Sequence, residues 1–310
     1  MSDEVVSVAV VTPVHNRRDI TLQCLRSLSR IKSNGLDVKI IVVDDGSTDG
    51  TSEAIYAQFP EVEIIRSDGT LWYTEGTNVG ARKALKHDPK YILMINDDQV
   101  FEENFLQYMV ETAEAHPRSV IGPVLLLWDQ PHKLFQVAPV WNTWKGGWQH
   151  WYQQTIWTVP IHPFTVNLIV GNCVLIPTDA IKECGLMNSK KYPNFGDAEY
   201  TPRLKRAGWK LIIDPRSRVF CQPNSIPPKV RGRELRSLVN DLIFDLKNVH
   251  NLRRRWYSYL DSAPSKLRGA LGFICFMTRA ALGRSPEAAS FALGQNEPPL
   301  KDVFRSSVIN

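Results

Sequence analysis

Acidic side chains stand where strands and loops of this chain end: Asp44 and Asp45 in VVDDGSTDGT, Asn96-Asp97-Asp98 in YILMINDD, and Asp197 and Glu199 in NFGDAEYTPRLKRAGW. A buried carboxylate is costly unless it is paired, hydrogen-bonded or on a cation, so each asks for a partner. Alternation along an extended segment puts Asn96 and Asp98 on one face and Asp97 on the other. A carboxylate with diphosphate oxygens and water is the hard-oxygen set that Mg2+ or Mn2+ prefers. The acids that precede the GSTDGT turn suit hydrogen bonds to a base N–H or to ribose hydroxyls instead. Spacing alone leaves plainer uses open: Asp and Asn end strands because they start turns, and Asp before a helix is a common N-cap.

The elements that must carry these residues follow from apolar patterning. Ser7–Val14, Val38–Ser47, Val62–Asp68 and Tyr91–Asp98 read as strands, alternating with helices over Arg18–Ile31, after Asp49 through Ala57, and over Asn78–Lys86. This is the pattern of β-α-β units around a largely parallel, buried sheet. Ligands of such sheets sit at the carboxyl ends of strands, so Asp44, Asp45, Asp97 and Asp98 are expected to converge on one crevice. Further on, IGPVLLLW and FTVNLIVGNCVLIP read as strands, and NFGDAEYTPRLKRAGWKLII as loop, helix and strand, with Pro202 expected in the first helical turn. Past the proline-rich QPNSIPPK the pattern is helical, with Leu235, Leu238, Val239, Leu242, Ile243, Leu246 and Val249 in one stripe.

Composition excludes several classes. The 310 residues are 43% hydrophobic and 22% charged, which is ordinary for a globular chain and rules out disorder, collagen and coiled coil. No apolar run reaches the length of a spanning helix, and MSDEVVSVAVV does not read as a leader. The five scattered cysteines never form C-x-x-C, which argues against a disulfide framework or zinc site and for the cytoplasm. Neither G-x-G-x-x-G nor G-x-x-x-x-G-K-[ST] occurs. From Lys229 to Arg284 there are 12 Lys/Arg against 4 Asp/Glu, while the rest of the chain carries 25 against 28. A near-neutral body thus bears a basic C-terminal region, without any helix-turn-helix or RNP-like cue to nucleic acid.

Taken together and in order, TPVHNR, VVDDGSTDGT, LWYTEGTNVG, INDD and NFGDAEYTPRLKRAGW make the chain resemble the family 2 glycosyltransferases, and LWYTEGTNVG with NDD resembles a bacterial, rhamnosyltransferase-like branch that builds surface polysaccharides. The resemblance implies an α/β GT-A fold, a Rossmann-like, mostly parallel mixed sheet flanked by helices. The catalytic domain would span 1–220, with a nucleotide-sugar half at 1–100 and an acceptor half at 101–220. Residues 221–310 would form a basic, amphipathic helical extension. It further implies inverting transfer from a UDP- or dTDP-sugar to a glycan or polyprenyl-diphosphate-linked acceptor, with Mg2+ or Mn2+. Thr12, Pro13 and His15 would hold the base, Asp44 or Asp45 the base and ribose, and Asn78 and Gly80 would match the donor-site Asn-x-Gly. Asn96-Asp97-Asp98 would occupy the D-x-D position, with Asp98 on the metal and Asn96 on the ribose or a metal-bound water. Asp197 would be the base, with Glu199 orienting the acceptor. The chain departs from the pattern at Thr77, where relatives have arginine, and at Cys221, where they have a metal-binding histidine that neither Cys221 nor Gln222 replaces well. A degenerate module that only binds a glycan or partner is the alternative these departures raise.

Trp128, Trp141, Trp144, Trp148, Trp151 and Trp157 crowd into one segment of the acceptor half. Their rings suit stacking on acceptor sugars, for which Trp144, Trp148 and Trp151 are the candidates, and equally a core or a subunit interface such as a homodimer's. The C-terminal NLRRRWYSYL and LGFICFMTRAAL suit a helix lying on an anionic inner membrane face, or helices packing on the body.

Overall fold

The computed structural model describes residues 5–149, 154–222, 240–248 and 250–282. Its first half is built on β1 (Val6–Val14), β2 (Leu36–Asp44), β3 (Glu63–Arg66) and β4 (Tyr91–Ile95), linked by α1 (Arg18–Leu28), α2 (Thr51–Gln58) and α3 (Trp72–Leu85). β1 pairs in parallel with both β2 and β4, and β2 with β3. The near-continuous β-branched and aliphatic runs reflect burial on both faces; every residue of β4 is buried. After β1 the chain runs outward through β2 and β3, then returns to the other side of β1 as β4. The carboxyl ends of β1 and β4 thus flank a topological switch point, where open α/β sheets bind ligands.

The second half extends the sheet. β5 (Gln99–Phe101), α4 (Phe105–Ala115), β6 (Ser119–Leu127), β9 (Phe164–Thr165), β10 (Cys173–Pro177), α5 (Thr178–Cys184), α6 (Asp197–Arg206) and β11 (Lys210–Cys221) complete a nine-stranded mixed sheet of order β3-β2-β1-β4-β10-β6-β11-β5, with β9 on β11. β10 runs antiparallel to β4 in the register Leu175↔Leu93. One core lies under α1, α2 and α4 (Leu25, Ile55, Phe105, Met109); the other lies under α3, α5 and α6 (Ala84, Ile181, Tyr200, Leu204).

Several expected elements differ in detail. α3 begins at Trp72 rather than Asn78, because Asp45 accepts the N–H groups of Leu71 (3.1 Å) and Trp72 (2.8 Å) and so satisfies a helix start that has no local cap. The stretch read as continuous strand over 164–177 is two short strands separated by an irregular turn that holds Gly171. Pro202 lies in the second turn of α6, not the first, and α6 gives up one backbone hydrogen bond there.

A hairpin of β7 (Val140–Asn142) and β8 (Gly147–Gln149) packs on the C-terminal α7 (Leu252–Ser262) and α8 (Lys266–Ala281), whose first turns are capped by Asn251 and Ser265. Between Asn240 and Phe244 the chain makes a π turn instead of continuing the expected stripe. Leu235, Leu238, Val239, Val249 and most of QPNSIPPK lie outside the described residues, as does Trp151. No helix among the described residues is long and apolar enough to cross a membrane.

Candidate active site

A cleft of about 300 Å3 opens at the switch point, lined by Pro13, His15, Arg17, Asp45, Trp72, Tyr73, Asn96 and Asp97, among others. The register Val14↔Asp44 and the end of β4 at Ile95 bring His15, Asp45 and the 96–98 triplet to one sheet edge. His15 donates Nδ1–H to the Asp45 main-chain oxygen (2.6 Å) and accepts from Asn16 Nδ2 (3.0 Å), which fixes the ring over the cleft. Thr12 lies beneath it, fully buried, with no partner for Oγ1.

Arg17 is the residue that organises the acids. Its guanidinium reaches Asp97 Oδ1 at 2.9 Å and Asp98 Oδ2 at 3.2 Å, tying both carboxylates to one cation. Asp97 also accepts from Thr21 Oγ1 of α1 (3.0 Å). Burial pushes its carboxyl up to about 6, and the Asp98 charge adds to this, while Arg17 and Thr21 pull the other way. Asp98 Oδ1 and Asn96 Oδ1 are buried and have no hydrogen-bond donor. Oxygens left bare in this way are what a hard cation would take. Cys221 offers nothing comparable: burial pushes its thiol up, and Gln99 Nε2 contacts its Sγ at 3.4 Å. Among the described residues no three His, Cys, Asp or Glu side chains cluster as a metal cage.

Asp197 opens α6 but does not cap it; its Oδ2 accepts the Gly171 N–H at 3.1 Å. A Cβ on Gly171 would lie 2.0 Å from that of Asp197, so only glycine allows this approach. Burial raises the Asp197 carboxyl above the ordinary range, against the Gly171 N–H. Tyr73 connects the two parts of the site: it lines the cleft and donates its OH to Gly171 O (3.1 Å). After burial, the Asp197 and Asp98 charges are what raise its phenol, so the phenol lies within electrostatic reach of both.

The segment LWYTEGTNVG serves as a dock for the loop before Asp197. Thr74 donates N–H to Pro193 O (3.0 Å) and takes the Gly196 N–H on Oγ1 (3.2 Å). Asn78 grips the Met187 backbone at both N and O, donating Nδ2–H to Met187 O (2.8 Å) and accepting the Met187 N–H on Oδ1 (3.1 Å). Glu75 holds Ser189. Gly80 presses α3 onto the sheet, since a Cβ there would come within 2.3 Å of Val11 Cγ1.

Of the sequence-expected residues, the structure thus brings together Pro13, His15, Asp45, Asn96 and Asp97 around the cleft, with Asp98 joined through Arg17 and Asp197 through Tyr73 and Gly171. Asp44 is turned inward onto the Ser47 N–H and Ser52. Asp45 spends its oxygens on Ser67, Leu71 and Trp72, which hold its carboxyl low against burial. Asn78 and Gly80 do not line the cleft; they pack and clamp. Glu199 faces a different cavity. Trp148 donates Nε1–H to Ser262 Oγ (3.0 Å), and Trp141 meets Trp148 and Tyr259 edge-on, so these rings join the hairpin to the C-terminal helices. Trp144 is 76% exposed. Sequence reasoning missed Arg17, Tyr73 and Gly171, although the first two stand inside motifs it singled out.

This fold, with its acids at the β1/β4 crevice, is the GT-A fold of glycosyltransferases. Residues 9–159, just under half of the chain, match the family described as glycosyl transferase family 2. Its sequence is 22% identical over 206 residues to an N-acetylglucosaminyl-diphospho-decaprenol L-rhamnosyltransferase of Mycobacterium tuberculosis, covering 59% of this chain and 66%, just under two thirds, of that protein. Glycosyltransferase GlyG of Streptococcus pneumoniae is 24% identical over 117 residues, 37% of each chain. Among solved structures, GalNAc-T7 with UDP, GalNAc and Mn2+ superposes with a TM-score of 0.61 at 16% identity over 90% of this chain and 57% of its own. The mannosyltransferase PcManGT from Pyrobaculum calidifontis, in complex with GDP-Man and Mn2+, gives 0.52 at 15% over 93% and 79%.

Proposed function

We propose that the chain is an inverting, metal-dependent glycosyltransferase that moves a sugar from a UDP- or dTDP-activated donor to a glycan or lipid-linked saccharide acceptor in cell-surface polysaccharide biosynthesis. The observation that supports this reading is the cleft lined by Arg17 and Asp97, to which Asp98 is tied through Arg17 and Asp197 through Tyr73 and Gly171. The mycobacterial relative's named activity and the Mn2+ and nucleotides in the structural neighbours support it.

The nucleotide base rests against Pro13 and His15, in the cleft that Trp72 and Asp45 also line. Asp98 Oδ1 and the Asn96 side-chain Oδ1 would hold the divalent cation, which would supply Lewis-acid stabilisation of the leaving diphosphate. Asp197 takes the proton from the acceptor hydroxyl while that oxygen forms its bond to the anomeric carbon and the bond to the diphosphate breaks. Its raised proton affinity suits a general base. The Gly171 N–H keeps the carboxylate aimed.

The acceptor approaches over α6 and the tryptophan-rich segment, where Trp144 is free to meet it. Leu267, Leu271, Ile274 and Leu282 are exposed along α8, beside Lys266, Arg268 and Arg279, and they rest the enzyme on the anionic cytoplasmic face of the membrane, where a lipid-linked acceptor lies. Sedimentation with anionic liposomes at low salt checks this contact, and light scattering checks whether the chain forms a homodimer.

The deciding experiment is calorimetry against UDP, dTDP, GDP and CMP with and without Mn2+, on the natural chain and on Asp98→Ala. Metal-enhanced binding of UDP or dTDP that Asp98→Ala abolishes supports the reading. Binding of none of the nucleotides overturns it in favour of a module that only holds a glycan or partner.

A further inference from the structure

A second cavity, of about 370 Å3, lies between α6, α7 and the segment that precedes α6, lined by Leu186, Asn188, Tyr192, Glu199, Arg203 and Asp261. Its volume falls at the low end of the about 300–1,000 Å3 typical of small-molecule sites. Glu199 and Asp197 stand two residues apart on α6, about 200° around its axis, so the cavity is on the other side of the helix from the reacting carboxylate.

The wall of this cavity is incomplete in one respect. Glu199 is only 6% exposed, and its Oε1 accepts Arg203 Nε at 2.8 Å, yet its Oε2 is buried with no donor. A buried acceptor without a donor is destabilising, and a ligand hydroxyl placed there would satisfy it. The remaining polar groups are already ion-paired within the wall: Glu199 with Arg203, and Asp261 with Lys191 while Tyr192 donates its OH to it at 2.6 Å. The half-exposed Arg206 also comes within 4.0 Å of Glu199 Oε1, so both carboxylates of the wall are already matched by cations and neither calls for a cationic ligand. Asn188 Oδ1 accepts the Lys191 N–H (3.1 Å), which leaves its amide NH2 as a donor at the rim, and Leu186 adds an apolar edge. A carboxylate acceptor, a guanidinium and an amide donor beside an apolar edge match the vicinal hydroxyls and C–H face of a sugar.

From this geometry we infer that the Glu199–Asp261 cavity binds a neutral, hydroxyl-rich saccharide unit at a site separate from the nucleotide cleft. The inference rests on the glycosyl-transfer reading for its supply of glycan, and deepens it: the unit held there is not the one that reacts. Because Lys191 and Tyr192 belong to the loop leading to Asp197, a sugar bound here also steadies that loop.

The test is saturation-transfer NMR and calorimetry on the full chain with methyl glycosides of rhamnose and N-acetylglucosamine, with and without saturating UDP and Mn2+. The expected result is saccharide binding that persists when nucleotide is present and weakens at least tenfold in Glu199→Gln and in Asn188→Ala. The latter is an exposed position that leaves folding intact. Nucleotide affinity stays within twofold in both variants. Binding of neither glycoside, displacement by nucleotide, or indifference to both substitutions overturns the inference. The nucleotide arm separates the failures: UDP binding without saccharide binding sinks this site alone, and saccharide binding without nucleotide binding sinks the transferase reading and leaves the site.

Discussion

Replacing Arg17 with alanine isolates what the acid pair requires. In the protein one guanidinium lies 2.9 Å from Asp97 Oδ1 and 3.2 Å from Asp98 Oδ2, and Asp97 is held nine-tenths buried. Removing the cation leaves two neighbouring carboxylates without a counter-charge, Asp97 still accepting from Thr21. Breaking a fully buried ion pair by deleting one partner costs about 3–5 kcal/mol. Arg17 is itself 38% exposed, so solvent screens much of this, and about 2 kcal/mol is the appropriate figure. For a chain of 310 residues that lowers the melting temperature by roughly 3 °C. A divalent cation on Asp98 would supply the missing charge, so Mn2+ should raise the melting temperature of Arg17→Ala more than that of the natural chain, with Arg17→Lys between them. Scanning calorimetry in EDTA and across a Mn2+ series reads both effects. Equal melting of the two proteins in EDTA, or an equal Mn2+ shift, refutes the assignment of Arg17 as the resident counter-ion of Asp97 and Asp98.

Other substitutions separate positioning from binding. Gly171→Ala forces a Cβ to within 2.0 Å of the Asp197 Cβ, and displacing a catalytic group by about 1 Å costs about a hundredfold in rate; kcat should fall that far while calorimetry finds nucleotide affinity within twofold. Asp197→Asn should lower kcat by about 10²–10⁴. Because burial raises the Asp197 carboxyl and only its ionised form accepts the proton, the natural enzyme should lose kcat/KM as pH falls through a midpoint above the ordinary aspartate value of about 4; a pH–rate profile with its acid limb at or below that value contradicts the shift. Asn78→Ala removes two buried hydrogen bonds to Met187 and should cost about 2 kcal/mol in urea unfolding with nucleotide affinity unchanged. A selective loss of nucleotide binding would instead assign Asn78 to the donor.

The parts of the site legible in the sequence are those set by strand periodicity. Apolar runs that stop at Asp45 and at Asn96-Asp97-Asp98 mark β2 and β4, and parallel pairing to β1 then forces their ends to one edge. What the sequence does not display is which side chain a carboxylate spends its oxygens on. Asp45 and Asn96 are both polar residues at a strand end, yet Asp45 is consumed by the start of α3, 26 residues away, whereas the Asn96 oxygen is bare. The same long reach misleads in LWYTEGTNVG. Its Asn-x-Gly stands in the motif's place, but Asn78 is turned to Met187, 109 residues away, and Gly80 is required by the closeness of Val11. Neither contact leaves a periodic trace, because each joins one residue to one peptide rather than a face to a face. Glycine is where such contacts do become visible in principle: Gly171 lies in a strand-like stretch that gains nothing from a missing side chain, and a glycine there signals close approach by something else. That something is Asp197, so the spacing of a glycine in one segment and an acid in another encodes the aim of the proposed base, and neither residue reveals it alone.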